Sequence, residues 1–159
     1  MATLKDFRDE RIRKLNTLRE KGIDPYPASS NRTHFAADIT SGFEHLQDRV
    51  VTVAGRIMGI RKFGKIAFIV VRDYSGNIQL FLKSDIVSPM DATSNHLGIA
   101  DLSLLDTGDF VEATGKVIKS KTDEVSIEVT NLRFLAKSLR PMPSAIDGFT
   151  NKSRIGNIF

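Results

Sequence analysis

Two short runs with opposite face patterns stand next to each other in the middle of the chain. In 66–73, Ala67, Ile69, Val71 and Asp73 fall on one side of an extended strand, and Ile66, Phe68, Val70 and Arg72 on the other. Side chains alternate between sheet faces with a period of two. Arg72 resists unpaired burial, so its side is the solvated one. In 77–82, Ile78, Leu80 and Leu82 form the apolar set, leaving Asn77, Gln79 and Phe81 opposite. Asp-Tyr-Ser-Gly-Asn at 73–77 has turn chemistry, so the two runs predict a hairpin with Phe68 opposite or diagonal to Gln79 and Phe81. A second reading has Phe68 in the core, with the faces inverted by a bulge, since a one-residue slip exchanges them.

The same patterning extends outward. Strands are expected at about 50–61, 65–73, 77–83, 109–119 and 124–134, with a helical or irregular connection at about 84–107. In the last strand Val125, Ile127 and Val129 face the core, so Glu124, Ser126 and Glu128 face outward. Five strands with helix between the third and fourth predict an all-β core: a five-stranded Greek-key OB-fold barrel, whose second and third strands form the usual oligonucleotide platform. A small barrel of another type is the rival. Ahead of it, 3–21 predicts an N-terminal α-helix with Leu4, Phe7, Ile12, Leu15 and Leu18 along one stripe and Gly22 as its C-cap. Its other face carries Arg8, Arg11, Arg13, Lys14, Arg19 and Lys21 among Asp6, Asp9, Glu10 and Glu20. That face is either solvated or in contact with phosphates. Asp24-Pro25-Tyr26-Pro27 reads as a rigid extended link. A short second helix is expected from Ser41, with Glu44 completing a capping box. The organisation is therefore 1–48 as a helical extension, 49–136 as the barrel and 137–159 as a linker or tail.

Composition narrows the chemistry. At 159 residues, 41% hydrophobic and 26% charged, the chain has the make-up of a soluble globular protein. No apolar run is long enough to span a bilayer and no leader-like segment follows the start, so cytoplasm is the expected compartment and no membrane partner is expected. With no Cys and three His, disulfides, thiolate zinc sites and a cysteine nucleophile are excluded. His34, His45 and His96 lie too far apart for ligand spacing and are expected to cap or pack locally. Asp73, Asp106 and Asp109 sit at strand ends, where turn formation accounts for them. No phosphate loop and no acid–base pair are present, so no catalytic residue and no metal site are assigned. The net charge of +4 permits a polyanionic partner without requiring one.

What remains is a surface suited to unpaired bases. An exposed aromatic such as Phe68 or Phe81 stacks on any base for about 1–3 kcal/mol. Selectivity needs hydrogen bonds. The Gln79 amide can both donate and accept, which complements uracil, and the Glu124 carboxylate accepts only, so it favours uracil N3–H over the lone pair of cytosine N3. Arg61, Lys62 and Lys65 in the first loop, and Lys116, Lys119 and Lys121 in the last hairpin, can hold phosphates. Each lysine taken singly is also an ordinary solubilising residue.

These residues carry a resemblance. RKLNTLREKGIDPYP (13–27), VAGRIMGIRKFGKIAFIVVRDYSGNIQLFL (53–82), DTGDFVEATGKVIKSKTDEVSIEV (106–129) and LAKSLRPMPS (135–144) resemble the N-terminal anticodon-binding region of class II lysyl-tRNA synthetases. Aspartyl- and asparaginyl-tRNA synthetases share a related barrel, but their leading segment is unlike RKLNTLREKGIDPYP. The resemblance implies that the barrel holds the uridine-rich anticodon loop of lysine tRNA, with Arg61, Phe68, Gln79 and Glu124 at the family's base-reading positions. Two departures stand out. The family's Lys-Thr-Gly-Glu is here Lys121-Thr122-Asp123-Glu124, and aspartate tolerates a left-handed turn position less well than glycine. After Arg140-Pro141-Met142-Pro143 the family continues into a catalytic domain that uses ATP and magnesium, whereas this chain runs SAIDGFTNKSRIGNIF. The expectation is a tRNA-binding module without cofactor, monomeric and not catalytic on its own. The alternatives are one part of a split or truncated synthetase that pairs with a catalytic domain or subunit, or a stand-alone OB-fold interaction module.

Overall fold

The computed structural model describes residues 3–24, 27 and 30–139. Pro25 and Tyr26 of the expected rigid link, and most of the expected tail, lie outside the described residues. Helix α1 (Leu4–Glu20) opens on a capping box in which Thr3 Oγ1 accepts from Asp6 N at 3.2 Å and Asp6 Oδ2 accepts from Thr3 N at 2.9 Å. It closes in a Schellman turn: Gly22 N donates to Arg19 O at 3.0 Å and Ile23 N to Leu18 O at 2.9 Å. Gly22 sits at φ 84, a conformation in which a Cβ is strained.

Strands β1 (Val50–Phe63), β2 (Ile66–Asp73) and β3 (Gly76–Lys83) form a meander. A two-residue strand β4 (His96–Leu97) and a 3-10 helix (Ile99–Leu104) fill the connection to β5 (Phe110–Lys119) and β6 (Val125–Ala136). The sheet order is β3-β2-β1-β5-β6-β4, and a parallel pairing of β3 with β6 closes five long strands into a barrel. The OB-fold expectation holds, and the strand boundaries agree to within about two residues.

The face reading of the hairpin also holds. Ala67, Ile69, Val71, Ile78, Leu80 and Leu82 are sealed inside, while Phe68, Val70, Arg72, Gln79 and Phe81 lie half-buried on the outer side. The loop is tighter than 73–77 suggested: Asp73 pairs with Gly76 across Tyr74-Ser75 alone. In β6 the inward positions Ile127, Val129, Leu132 and Phe134 change parity between Val129 and Leu132, where the β5–β6 register slips. Gly115 stands at that slip. A Cβ there would lie 2.1 Å from Glu128 O and 2.7 Å from Glu128 C, both backbone atoms.

Several expectations from local pattern are corrected. Leu4 and Phe7 are 60% and 41% exposed, so only the C-terminal half of the α1 stripe reaches the core, through Leu15 and Leu18. The basic face of α1 divides: Arg8, Arg13, Arg19 and Lys21 are exposed, as the solvated reading has it, while Arg11 and Lys14 are engaged within the molecule. Arg11 is buried and donates to Ser138 O at 3.1 Å, Lys14 pairs with Asp106 at 2.8 Å, Lys21 with Asp101 at 3.7 Å, and Arg13 with Glu10. The second helix starts five residues before Ser41. Helix α2 (Ala36–Ser41) is capped from the β2–β3 turn, with Ala36 N donating to Asp73 Oδ2 at 2.8 Å and Ala37 N to Ser75 Oγ at 3.0 Å. Glu44 belongs to a separate single turn, α3 (Phe43–Leu46), with no side-chain cap.

Asp106 and Asp109 do more than shape a turn. Lys137 Nζ, fully buried, donates to Asp106 Oδ2 and Asp109 Oδ2, each at 2.7 Å, and to Leu104 O at 3.0 Å. Ser138 N donates to Asp109 Oδ1 at 2.8 Å. The start of the expected linker is thus tied into the barrel floor.

Candidate nucleic-acid interface

A groove of about 950 Å³ runs over the outer side of β2 and β3 and under the β5–β6 hairpin. Its aromatic floor comes from strand register. Phe68 on β2 lies opposite Phe81 on β3, with ring centroids 5.0 Å apart and planes 15° from parallel. Phe63, at the exposed end of β1, meets Phe68 edge-on at 6.4 Å. Lys83 Nζ lies 5.4 Å from the Phe81 centroid. The two rings stack on each other, so what they offer the groove is their edges and outer faces, with a cation beside Phe81.

Gln79 lies one rung along the ladder, opposite Val70. The closing pair sets it beside Ser126, and its Nε2 donates to Ser126 Oγ at 3.1 Å. Ser126 Oγ in turn donates to Glu124 O at 3.1 Å. This relay fixes the amide plane. It leaves Oε1 and the second N–H of Gln79 for a ligand, an acceptor beside a donor, which is the complement of a uracil edge. Ser126 is fully buried although its strand position faces outward, because β3 and the groove wall cover it.

The residues expected from sequence fall into two groups. Arg61, Phe68, Gln79, Phe81 and Lys121 line the groove together. Arg61 is the direct cross-strand partner of Phe68. Lys62 and Lys65 are exposed at the β1–β2 turn but outside the lining, and Glu124 is exposed at the rim just before β6. Glu124 is held through its backbone, its N–H donating to Ser120 Oγ at 3.1 Å and its carbonyl accepting from Ser120 N at 2.9 Å.

Sequence reasoning missed Phe63, Lys83, Ser126 and Glu128 as groove residues. Glu128 and Ser126 shared the outward parity of Glu124, and that parity was the available signal. Phe63 has the same two-residue spacing from Arg61. Of the histidines, His34 Nδ1 shares a hydrogen with Thr33 Oγ1 at 2.8 Å. Among the described residues, no three His, Cys, Asp or Glu side chains are grouped to hold a metal ion. No helix among them is long and apolar enough to cross a membrane.

Asp123 adopts the left-handed conformation that the departure from glycine had brought into question, at φ 68. Asp123→Gly is therefore expected to stabilise the hairpin slightly, by about 0.5 kcal/mol, since relief of the strained φ outweighs the added freedom of the unfolded chain. Thermal unfolding checks it: a lower midpoint for the variant contradicts the strain.

A family profile described as an OB-fold nucleic acid binding domain matches residues 51–135. The chain belongs to this family. The matched span of the OB-fold nucleic acid binding domain runs from β1 to the end of β6, so the groove lies wholly within it. The chain is also similar to curated lysine–tRNA ligases. It is 40% identical over 154 residues to that of Fervidobacterium nodosum, with 94% of this chain and 29% of the relative covered. It is 40% identical over 148 residues to that of Clostridium acetobutylicum (92% and 27%), and 41% over 139 residues to that of Clostridium perfringens (87% and 26%). The chain spans less than a third of the length of these relatives, matching their N-terminal, anticodon-binding region.

Proposed function

We propose that this chain is the tRNA-recognition module of a lysine–tRNA ligase and that its groove holds the uridine-rich anticodon loop of lysine tRNA. The observation that carries this reading is the conjunction of a stacked Phe68–Phe81 floor with a relay-fixed Gln79 amide in one basic groove of an OB-fold. Phe68 and Phe81 stack an unpaired base, and Gln79 offers its free acceptor and donor to the uracil edge. Glu124 accepts a uracil N3–H at the rim. Arg61, Lys121, Lys62 and Lys65 neutralise phosphates along the loop. Similarity to ligases over less than a third of their length supports a module that binds tRNA and leaves lysine activation, with ATP and magnesium, to the remaining length of such enzymes.

The test is binding of a uridine-rich anticodon stem-loop against the same loop carrying cytidines. The unaltered chain is expected to prefer uridine. Phe68→Ala should weaken both loops by about 1–3 kcal/mol, or about 5- to 150-fold. Equal affinity for the two loops removes the specificity claim, and no binding at low salt removes the reading. Charging of tRNA by this chain alone would contradict the division of labour.

A further inference from the structure

The groove does not end the outward face of β2. Phe68, Val70 and Arg72 share that face, and each same-face step advances about 6.7 Å along the strand. Val70 closes the groove and Arg72 stands just beyond it. Directly across the ladder from Arg72 is Arg56 of β1. Two guanidinium groups in register on one face repel each other, and like charges directly opposite destabilise a sheet. No carboxylate relieves them: among the described residues neither arginine makes an ion pair. The nearest acid by register on this face is Glu112, one same-face position beyond Phe110, and it is occupied by Ser30 Oγ and Asn31 N at 2.6 Å and by Arg133 at 3.4 Å.

Arg56 is the more constrained of the two. Its guanidinium carbon lies 5.2 Å from the centroid of Phe110, its own cross-strand partner on β5. Its Nε is buried and, among the described residues, has no hydrogen-bond acceptor, which disfavours the buried group. Burial also holds the group below its ordinary pKa. On the other flank Arg72 faces exposed Asn77 of β3, a neutral amide. Two planar forks without an anion, one braced on an aromatic ring, form a receptor for phosphate oxygens, which guanidinium binds in a bidentate manner.

We propose that Arg56 and Arg72 form a backbone-phosphate subsite that extends the groove, receiving the RNA strand after its base has stacked on Phe68. The inference rests on the tRNA-binding reading and adds the path and polarity-independent anchor of the strand. Arg72 lies about 13 Å from the stacking ring along β2, about two nucleotides once bases are splayed instead of stacked at about 3.4 Å. Stacking at Phe68 and Phe81 alone accounts for less than the footprint of about 4–16 nucleotides typical of an OB-fold, so the strand continues along the face. A phosphate contact positions without reading sequence, and the subsite should therefore leave base preference untouched.

The experiment measures binding of the uridine-rich stem-loop across a salt series. Arg72→Gln is expected to weaken binding about 3- to 10-fold near 0.1 M salt and to lower the slope of log affinity against log salt by about 0.7, the value for one phosphate of a single strand. The ratio of uridine to cytidine affinities should not change, and Arg72→Lys should restore most of the slope. Arg72 is tested first because Arg56→Gln also removes packing on Phe110. Scanning the loop with neutral methylphosphonate linkages supplies a second readout: a position that weakens the unaltered chain should have no effect in Arg72→Gln. An unchanged slope and unchanged linkage scan in Arg72→Gln, with the unaltered chain binding normally, overturn the subsite alone. A shift in base preference also overturns it. Failure of the unaltered chain to bind at low salt overturns the functional reading and the subsite together.

Discussion

Lys137→Met is expected to cost about 3–5 kcal/mol of folding stability, because it strands two carboxylates around a site built for a cation. The ammonium of Lys137 is fully buried between Asp106 and Asp109, at 2.7 Å from each, and Asp109 is itself fully buried. Methionine matches the length of the lysine stem but supplies no donor. Lys14 continues to neutralise Asp106 from α1, whereas Asp109 keeps only backbone donors from Asp106 and Ser138. For a domain whose total stability is about 5–15 kcal/mol, the loss is large. The pH dependence follows from the two acids. Burial pushes the Asp106 carboxyl up, but hydrogen bonds from Lys137 and Lys14 outweigh it and hold the group below the ordinary range. A carboxyl lowered in this way adds stability above its unfolded value, about 4, and the addition is lost as pH falls through the folded value. Asp109 has the opposite sign: burial, only partly offset by Lys137, holds it above the ordinary range, so its favourable contribution is lost as pH rises through its folded value. Without Lys137 the ionised Asp109 has no cation at neutral pH and Asp106 keeps only Lys14, a penalty that vanishes once Asp109 is protonated. Urea unfolding should therefore show a deficit that is greatest near pH 7 and narrows towards pH 4. A deficit below about 1 kcal/mol, or one independent of pH, contradicts a functioning buried ion cluster.

Gly115→Ala is expected to cost about 3 kcal/mol or more. The new methyl group would sit 2.1 Å from Glu128 O and 2.9 Å from Ile127 Cγ2. Side-chain overlap can be relieved by a rotamer change, but two backbone atoms cannot move without separating β5 from β6. Those strands meet at a bulge, and β6 also carries Ser126 and Glu128 into the groove. The variant should unfold at lower urea and, on the proposed function, bind the uridine-rich stem-loop more weakly even where folded, through displacement of Ser126 from Gln79. Wild-type stability in the alanine variant would mean that the strands stand further apart there than 2.1 Å implies.

Parts of this molecule were legible in the sequence because one short rule governs them. The β2–β3 hairpin follows from period-two alternation together with the reluctance of Arg72 to be buried, and those facts alone put Phe68, Gln79 and Phe81 on one face. The helix stop at Gly22 follows from local backbone sterics. Parts decided by distant partners were not legible. The start of α2 depends on Asp73 and Ser75, more than 30 residues away in sequence. The exposure of Leu4 and Phe7 depends on how far the barrel extends beneath α1, which a helical stripe does not encode. The basic face of α1 pattern-matches a phosphate-binding surface, yet Lys14 and Lys21 meet Asp106 and Asp101, which are distant in sequence and packed against the helix in space. Glu124 illustrates a finer limit. It shares the parity of Ser126 and Glu128 in sequence but precedes the strand, so alternation does not bring it onto the groove wall.

The hydrogen bond between Gln79 and Ser126 joins side chains 47 positions apart in the chain. The orientation of this groove amide is therefore a joint property of two distant positions. Replacing the amide by a carboxylate would set an acceptor against a hydroxyl already committed to Glu124 O, and an apolar side chain would leave the Ser126 oxygen without the donor it now has. Changing the groove amide while keeping the wall's hydrogen bonds made therefore requires both positions to change together.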